Sequence, residues 1–189
     1  MALSKTPQIV SPKTIELIIY ITYKLKGRPN YGSVLLGKSL CLIDSMSYLK
    51  TGVAITDFTY IKQDKGPTPN PAKFLPIRDE LVTTGELQKI DVPFYGRTQK
   101  KYIATRPPKT EVFTSEEIFL IDEIIESIGN MNATDISELT HQFISWIVAN
   151  DKEELPFYTF LLTQSDPSKA DYEWANKVVK KYLSTQKAS

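Results

Sequence analysis

The side chains of Cys41, Asp44 and His141 could supply a nucleophile, an orienting carboxylate and a general base. Cys41 is the only cysteine and His141 the only histidine in 189 residues, so a thiol–imidazole pair would have to use these two. Cys41, however, stands inside the apolar run SLCLID, and a lone cysteine in such a run is typical of a small core residue. We therefore predict no catalytic residues, and an enzymatic function is the less favoured interpretation of the sequence.

No other catalytic or cofactor site is indicated by the sequence. The patterns GxSxG, HExxH and paired CxxC are missing. The letters of GxxxxGKS/T occur at residues 32–39, GSVLLGKS, but the phosphate-binding motif is a loop that follows a strand, and these residues lie in a predicted apolar helix. With one histidine, a metal site would need several carboxylates, and none of the carboxylates cluster at ligand spacing. We predict neither a metal nor a cofactor.

The composition is that of an ordinary globular protein. Hydrophobic residues make up 41% of the chain, and 23 Lys and Arg face 22 Asp and Glu, for a net charge of +1. This balance argues against nucleic acid as a partner, although the pairs Lys100–Lys101 and Lys180–Lys181 leave a basic patch open as an alternative. The N-terminus lacks the apolar region of a signal peptide, and the most apolar segment, residues 15–25, is too short to span a membrane. We expect a soluble protein of the cytoplasm.

The elements that must position these side chains are mostly helices. Caps, prolines and apolar periodicity predict helices over about residues 12–26, 33–50, 71–84, 115–128 and 133–150, with a terminal amphipathic helix opening at residues 166–167. Residues 54–61 predict a short strand, residues 87–105 a β-hairpin around Pro93–Gly96, and residues 156–162 either a strand or a packed turn.

The predicted fold class is therefore mainly α, a single compact helical domain with a minor β-hairpin or short sheet (α+β). We expect residues 1–165 to form this domain and residues 166–189 to form a C-terminal amphipathic helix packed on it. Residues 15–21 have apolar side chains on nearly every side of the first helix, which predicts a central, buried position.

Asp44 and His141 both lie away from the apolar stripes of their predicted helices. Asp44 interrupts an apolar helix, so its carboxylate must be hydrogen-bonded, paired or exposed. His141 is nearly opposite the stripe of Ile136, Leu139, Phe143, Trp146 and Ile147. We predict that each braces a neighbouring loop, and a polar anchor in a binding groove is the alternative for His141.

The segment KGPTPNP, residues 65–71, contains three prolines and one glycine. Prolines restrict the backbone and remove amide donors, so such a segment has few conformations and must be held from outside. Either the prolines only shape a corner between a strand and a helix, or the segment is a prearranged contact surface.

Two segments of the sequence together resemble the SocA-like antitoxin domain, also called the Panacea domain. The first is KSLCLID (38–44) followed by GVAITDFTYIKQDKGPTP (52–69), and the second is MNATDISELTHQFISWIVANDKEELPF (131–157). The resemblance covers roughly residues 11–162. The matching residues are Lys38, Asp44, Gly52, Ile55, Thr56, Thr59, Tyr60, Gly66, Pro67, Pro69, Leu139, His141, Trp146 and Pro156. Asp57 and Lys65 depart from the family pattern, which usually has glycine and an aromatic residue there.

The resemblance implies a non-enzymatic antitoxin of bacterial or phage origin that binds and neutralises a cognate toxin protein. It also implies an alternative, an adaptor that delivers the toxin to a Clp-type protease. The helix-turn-helix carried by many relatives is not expected before residue 11. The predicted partner-binding residues are Tyr60, Lys65, Gly66 and Pro67 on the loop, braced from behind by Asp44 and His141.

Overall fold

The computed structural model describes residues 10–161, together with residues 169, 173 and 176. Its elements are α1 (Pro12–Leu25), α2 (Ser33–Thr51), β1 (Tyr60–Ile61), β2 (Thr68–Pro69), α3 (Pro71–Thr83), β3 (Leu87–Phe94), β4 (Arg97–Ala104), a 3-10 turn (Thr110–Val112), α4 (Ser115–Ile128), α5 (Ala133–His141), α6 (Ile144–Val148) and a second 3-10 turn (Phe157–Leu161). The strands pair as two small antiparallel sheets, β1–β2 and β3–β4. The mainly α fold with a minor β part is confirmed. The C-terminal helix predicted from residue 166 falls outside the continuous described range.

Helix α1 is the centre of the core, as its apolar side chains predict. Leu17, Ile18 and Ile21 are fully buried, and α2, α4 and β4 all pack against α1. Lys13 pairs with Glu117 of α4, at 2.6 Å between Nζ and Oε1. Further along α1, the Tyr20 hydroxyl donates to Asp122 of α4, so the two helices run in parallel. In the described part of the chain, no helix is long and apolar enough to cross a membrane.

The helix ends were predicted correctly where a local signal sets them. The Asn70 side chain accepts a hydrogen bond from the Ala72 amide at the start of α3. Thr114 and Glu117 form a complete capping box at the start of α4. Gly52 ends α2 in the left-handed conformation with φ of 80°, which glycine adopts without steric cost.

The predicted hairpin is confirmed as β3 and β4, joined by the two-residue turn Tyr95–Gly96. Both turn residues have positive φ, 46° for Tyr95 and 73° for Gly96, as a tight hairpin turn that matches the strand twist requires. The hairpin packs against α1 and α3. The buried Tyr31 hydroxyl donates to the carbonyl of Tyr102 at 2.7 Å, which fixes β4 to the segment before α2.

The strand predicted over residues 54–61 is shorter than expected, and the alternative left open for residues 156–162 is decided in favour of the turn. Only Tyr60–Ile61 of the predicted strand 54–61 is a strand, because the amides of Ile55 and Thr56 donate to Asp44 instead of to a neighbouring strand. The segment 156–162, left open between strand and turn, includes the 3-10 turn Phe157–Leu161.

The helix predicted over residues 133–150 is also interrupted, between α5 and α6, where Phe143 is extended with ψ of 124°. The break lets the His141 and Trp146 rings stack, whereas residues five apart in one continuous helix differ by about 140° around its axis. The predicted apolar stripe is therefore not one continuous buried face, since Ile147 is 49% exposed.

Candidate functional site: the proline-rich loop and its supports

Residues 62–67 connect the short strands β1 and β2, and we call them the proline-rich loop because they lead into the KGPTPNP segment, whose other two prolines lie in β2 and at the start of α3. These strands pair in register, Tyr60 with Pro69 and Ile61 with Thr68. Residues 152–155 run along the other edge of β1, where the Leu155 amide donates to the carbonyl of Tyr60 at 2.7 Å. The two ends of the loop are therefore held in a small hydrogen-bonded ribbon.

Lys38 of α2 holds the loop from beneath. Its side chain is only 2% exposed, and Nζ donates to the carbonyl of Pro67 at 2.7 Å. Burial lowers the pKa of Lys38 to about 8. This lysine, in a largely apolar stretch of α2, thus supplies a hydrogen-bond donor from outside the loop to one of the loop carbonyls.

Gly66 lies so close to α2 and α5 that no side chain fits there. A Cβ on Gly66 would come within 2.5 Å of Thr140 Oγ1 and 2.6 Å of Lys38 Nζ. Its φ of 91° is also in the left-handed region, which disfavours residues with a Cβ. The glycine therefore fixes both the path of the loop and its distance from the two helices.

His141 and Trp146 support the loop from the side of α5 and α6. Their rings stack with centroids 4.0 Å apart and an angle of 14°, and Trp146 Nε1 donates to the carbonyl of Gln63 at 2.9 Å. A Cβ on Gly66 would lie 3.3 Å from His141 Cδ2. His141 Nε2 is buried with no hydrogen-bond partner among the described residues, and the contacts with Trp146 and near Gly66 show that His141 supports the loop by packing.

Asp44 holds a different part of the chain. Its fully buried carboxylate accepts from the amides of Ile55 and Thr56, at 3.0 and 2.9 Å. It also accepts from the hydroxyls of Thr56 and Tyr60. Burial raises the pKa of Asp44, and these donors partly offset that rise. The prediction that Asp44 braces a loop is correct for residues 55–56, but Asp44 reaches the proline-rich loop only through Tyr60.

The side chains that the loop presents differ from those predicted. Tyr60 is 1% exposed, and Gly66 and Pro67 are also buried, while Lys65 is exposed. The prediction that Tyr60 and Pro67 form a presented edge is therefore wrong, because both face the supporting helices. Partner contact through the loop remains a prediction, and of these residues Lys65 is the one free to make it.

The structure offers no support for the thiol–imidazole pair. Cys41 is fully buried in the core, and burial raises the pKa of its thiol to about 12, so it is not a thiolate at neutral pH. No group of three or more His, Cys, Asp or Glu side chains that could hold a metal ion is found within residues 10–161. Lys100 and Lys101 do not form an exposed basic pair, because Lys101 is buried and donates to the carbonyls of Arg28 and Pro29.

Sequence reasoning missed the role of Lys38, although it lies within the resembling segment. A signal was present, since a lysine between LLG and SLCLI must be paired or hydrogen-bonded if the helix is buried. The contact of Thr140 with Gly66 and the ribbon formed by residues 152–155 had no such local signal.

One family model, described as antitoxin SocA-like, Panacea domain, matches residues 36–147. The chain belongs to this family. The matched range of the Panacea domain contains Lys38, Gly66, His141 and Trp146, and therefore the loop with most of its supports. No curated protein and no solved structure matches the chain. Membership of the Panacea family supports a role in a toxin–antitoxin system.

Lys38 makes the stability of this Panacea domain depend on pH in the alkaline range. Burial lowers its pKa from 10.5 to about 8, so the folded protein releases this proton before the unfolded chain does. Between pH 8 and pH 10.5 the unfolded chain binds more protons, and the Lys38 contribution to the free energy of unfolding therefore rises with pH. The full effect is about 3 kcal/mol.

The variant Lys38→Met keeps the aliphatic stem and removes the titrating amine. Urea unfolding at a series of pH values should show wild type gaining stability relative to Lys38→Met as the pH rises through this window. The exposed Lys89→Met is the control and should follow wild type. Parallel curves for wild type and Lys38→Met would contradict the lowered pKa.

Proposed function

We propose that this Panacea domain is a cytoplasmic antitoxin that neutralises a toxin protein by direct contact. The observation that carries the proposal is that α2, α5 and α6 all hold the proline-rich loop in one conformation, through Lys38, Gly66 and Trp146. A loop that is already ordered loses little conformational entropy when a partner binds. Lys65 at its exposed side is then available to the partner.

The buried hydrogen bonds beneath the loop favour binding over catalysis. The Asp44 carboxylate is occupied by backbone and hydroxyl donors, and the Lys38 amine donates to a backbone carbonyl. The Asp44 carboxylate and the Lys38 amine therefore fix the backbone conformation beneath the exposed side of the loop. Family membership supports the same general role.

Co-expression tests the proposal. The product of the adjacent open reading frame should arrest growth when expressed alone, and this chain should restore growth and co-purify with that product as a stable complex. Restored growth without any complex would contradict neutralisation by direct contact.

The same experiment in a strain lacking the Clp-type proteases separates direct neutralisation from the adaptor alternative. Direct neutralisation predicts that rescue persists and that the half-life of the toxin is unchanged. Rescue that requires the protease would assign the chain to the adaptor function instead.

A further inference from the structure

A groove of about 1060 Å³ lies between the tip of the β3–β4 hairpin, the start of α2 and the start of α5. Three basic residues line it: Lys65 from the proline-rich loop and Arg97 and Lys100 from β4. All three are exposed. The groove is therefore lined by positive charges from two segments of the chain, with Arg97 and Lys100 on opposite faces of β4.

Within the described part of the chain these three cations form no ion pair, although Asp91 lies directly across the hairpin from Lys100. Other basic residues there are paired, such as Arg106 with Glu16 at 2.7 Å and Lys13 with Glu117 at 2.6 Å. Asp135 is the one acidic residue lining the groove, and its carboxylate already accepts from Asn132 Nδ2 at 2.8 Å. Asp135 offsets one of the three positive charges, so the lining keeps a net charge of +2, and this excess of positive charge attracts an acidic ligand.

Tyr95 projects at the rim of the same groove. Its side chain is 92% exposed and contacts the ring of Phe94 edge to face. Its φ of 46° is uncommon for a bulky residue, and asparagine or glycine would suit this turn position better. Its ring is thus exposed at a conformational cost, and tyrosine and arginine are the residues that contribute most at protein interfaces.

The groove continues past the loop into a second one of about 610 Å³. The two share Ser33, Val34 and Lys65, so Lys65 stands on the ridge between them. The rigid loop and the basic groove thus form one surface. A partner that contacts Lys65 on the loop is therefore at the edge of both grooves.

We propose that this groove binds an acidic segment of the partner protein, with Tyr95 as its apolar anchor. The inference rests on the proposed function, because it names the chemistry of the surface by which the toxin is bound. A protein fits better than a nucleic acid, since Lys101 is withdrawn into the fold and the exposed cations do not form an extended row.

Charge reversal of the groove gives the direct test. The variant Lys65→Glu, Arg97→Glu, Lys100→Glu should bind the purified product of the adjacent reading frame about 100-fold more weakly than wild type. The matched control, Lys26→Glu, Lys50→Glu, Lys89→Glu, carries the same change in net charge at exposed sites outside both grooves. The control should stay within about threefold of wild type. Wild-type affinity should fall with added salt, and that of the groove variant should not.

Tyr95 is tested separately from the charges and from the turn. Tyr95→Asn removes the ring and suits the positive φ, so binding should fall about tenfold while the melting temperature stays the same or rises. Tyr95→Phe keeps the ring and should bind within about threefold of wild type.

Each outcome bears on the proposal. If wild type neutralises the toxin and the groove variant does so equally well, the groove is not the docking surface, although the proposed function stands. If wild type does not bind the toxin, the proposed function fails and this inference fails with it. If wild type binds a fluorescein-labelled RNA of mixed sequence and the groove variant does not, the groove belongs to nucleic acid and the proposal is wrong.

Discussion

Gly66→Ala is expected to destabilise the domain by about 2–5 kcal/mol and to abolish neutralisation of the toxin. Two effects add at this position. The added Cβ would lie 2.5 Å from Thr140 Oγ1 and 2.6 Å from Lys38 Nζ, and the φ of 91° is unfavourable for alanine. Because Lys38 is buried and donates to Pro67, its amine cannot move away without losing that hydrogen bond. Urea unfolding measures the loss of stability.

Gly85→Ala is the matched control for the backbone effect. Gly85 has a similar φ of 78°, but a Cβ there meets nothing within 4 Å. It should therefore show only the conformational cost of about 1–2 kcal/mol and retain full neutralisation. Equal destabilisation of the two variants would show that the close approach of Gly66 to α2 and α5 adds nothing to the loss of stability.

Most of the fold could be predicted from the sequence where short-range interactions decide it. Asn70 and Thr114 cap helices through hydrogen bonds to amides two or three residues away, and Gly52 ends α2 by its own backbone conformation. Such signals are complete within a few residues. For the same reason the hairpin turn at Tyr95–Gly96 was placed correctly.

The missed features all depend on contacts between distant residues. The break between α5 and α6 accompanies the bond from Trp146 to Gln63, which are 83 positions apart. The amides of Ile55 and Thr56 join no strand because Asp44, 11 and 12 positions earlier, accepts their hydrogen bonds. A helical or strand-like pattern cannot reveal which partner a side chain will reach across the fold.

The same difference between short-range and long-range interactions decides which parts of the candidate site could be predicted. The sequence pointed to the proline-rich loop and to Asp44 and His141 as residues that need partners. Tyr60 was predicted as a partner-binding residue of the loop, whereas its hydroxyl donates to Asp44 at 2.6 Å in the core. The basic groove was not predicted, since Lys65 and Arg97 come together only through the fold.

Asp44→Ala is expected to be the most destabilising single change, at about 3–5 kcal/mol. The substitution leaves the amides of Ile55 and Thr56 and the hydroxyl of Tyr60 buried without their acceptor, and each such group costs about 1–3 kcal/mol. This approaches the whole stability of a typical domain. We therefore expect the variant to be largely unfolded at growth temperature, as measured by circular dichroism and urea unfolding.

Asp44→Asn distinguishes the lost acceptor from the lost charge. The amide oxygen of asparagine can still accept from the amides of Ile55 and Thr56, which both donate to Oδ1 of Asp44, so its destabilisation should be clearly smaller than that of Asp44→Ala. Asp79→Ala provides the control, because Asp79 is exposed and its carboxylate pairs with the adjacent Arg78, and it should change stability by no more than about 0.5 kcal/mol. An Asp44→Ala variant as stable as Asp79→Ala would show that water replaces the carboxylate without cost. The segment leading into Tyr60 and the loop would then be held by packing alone.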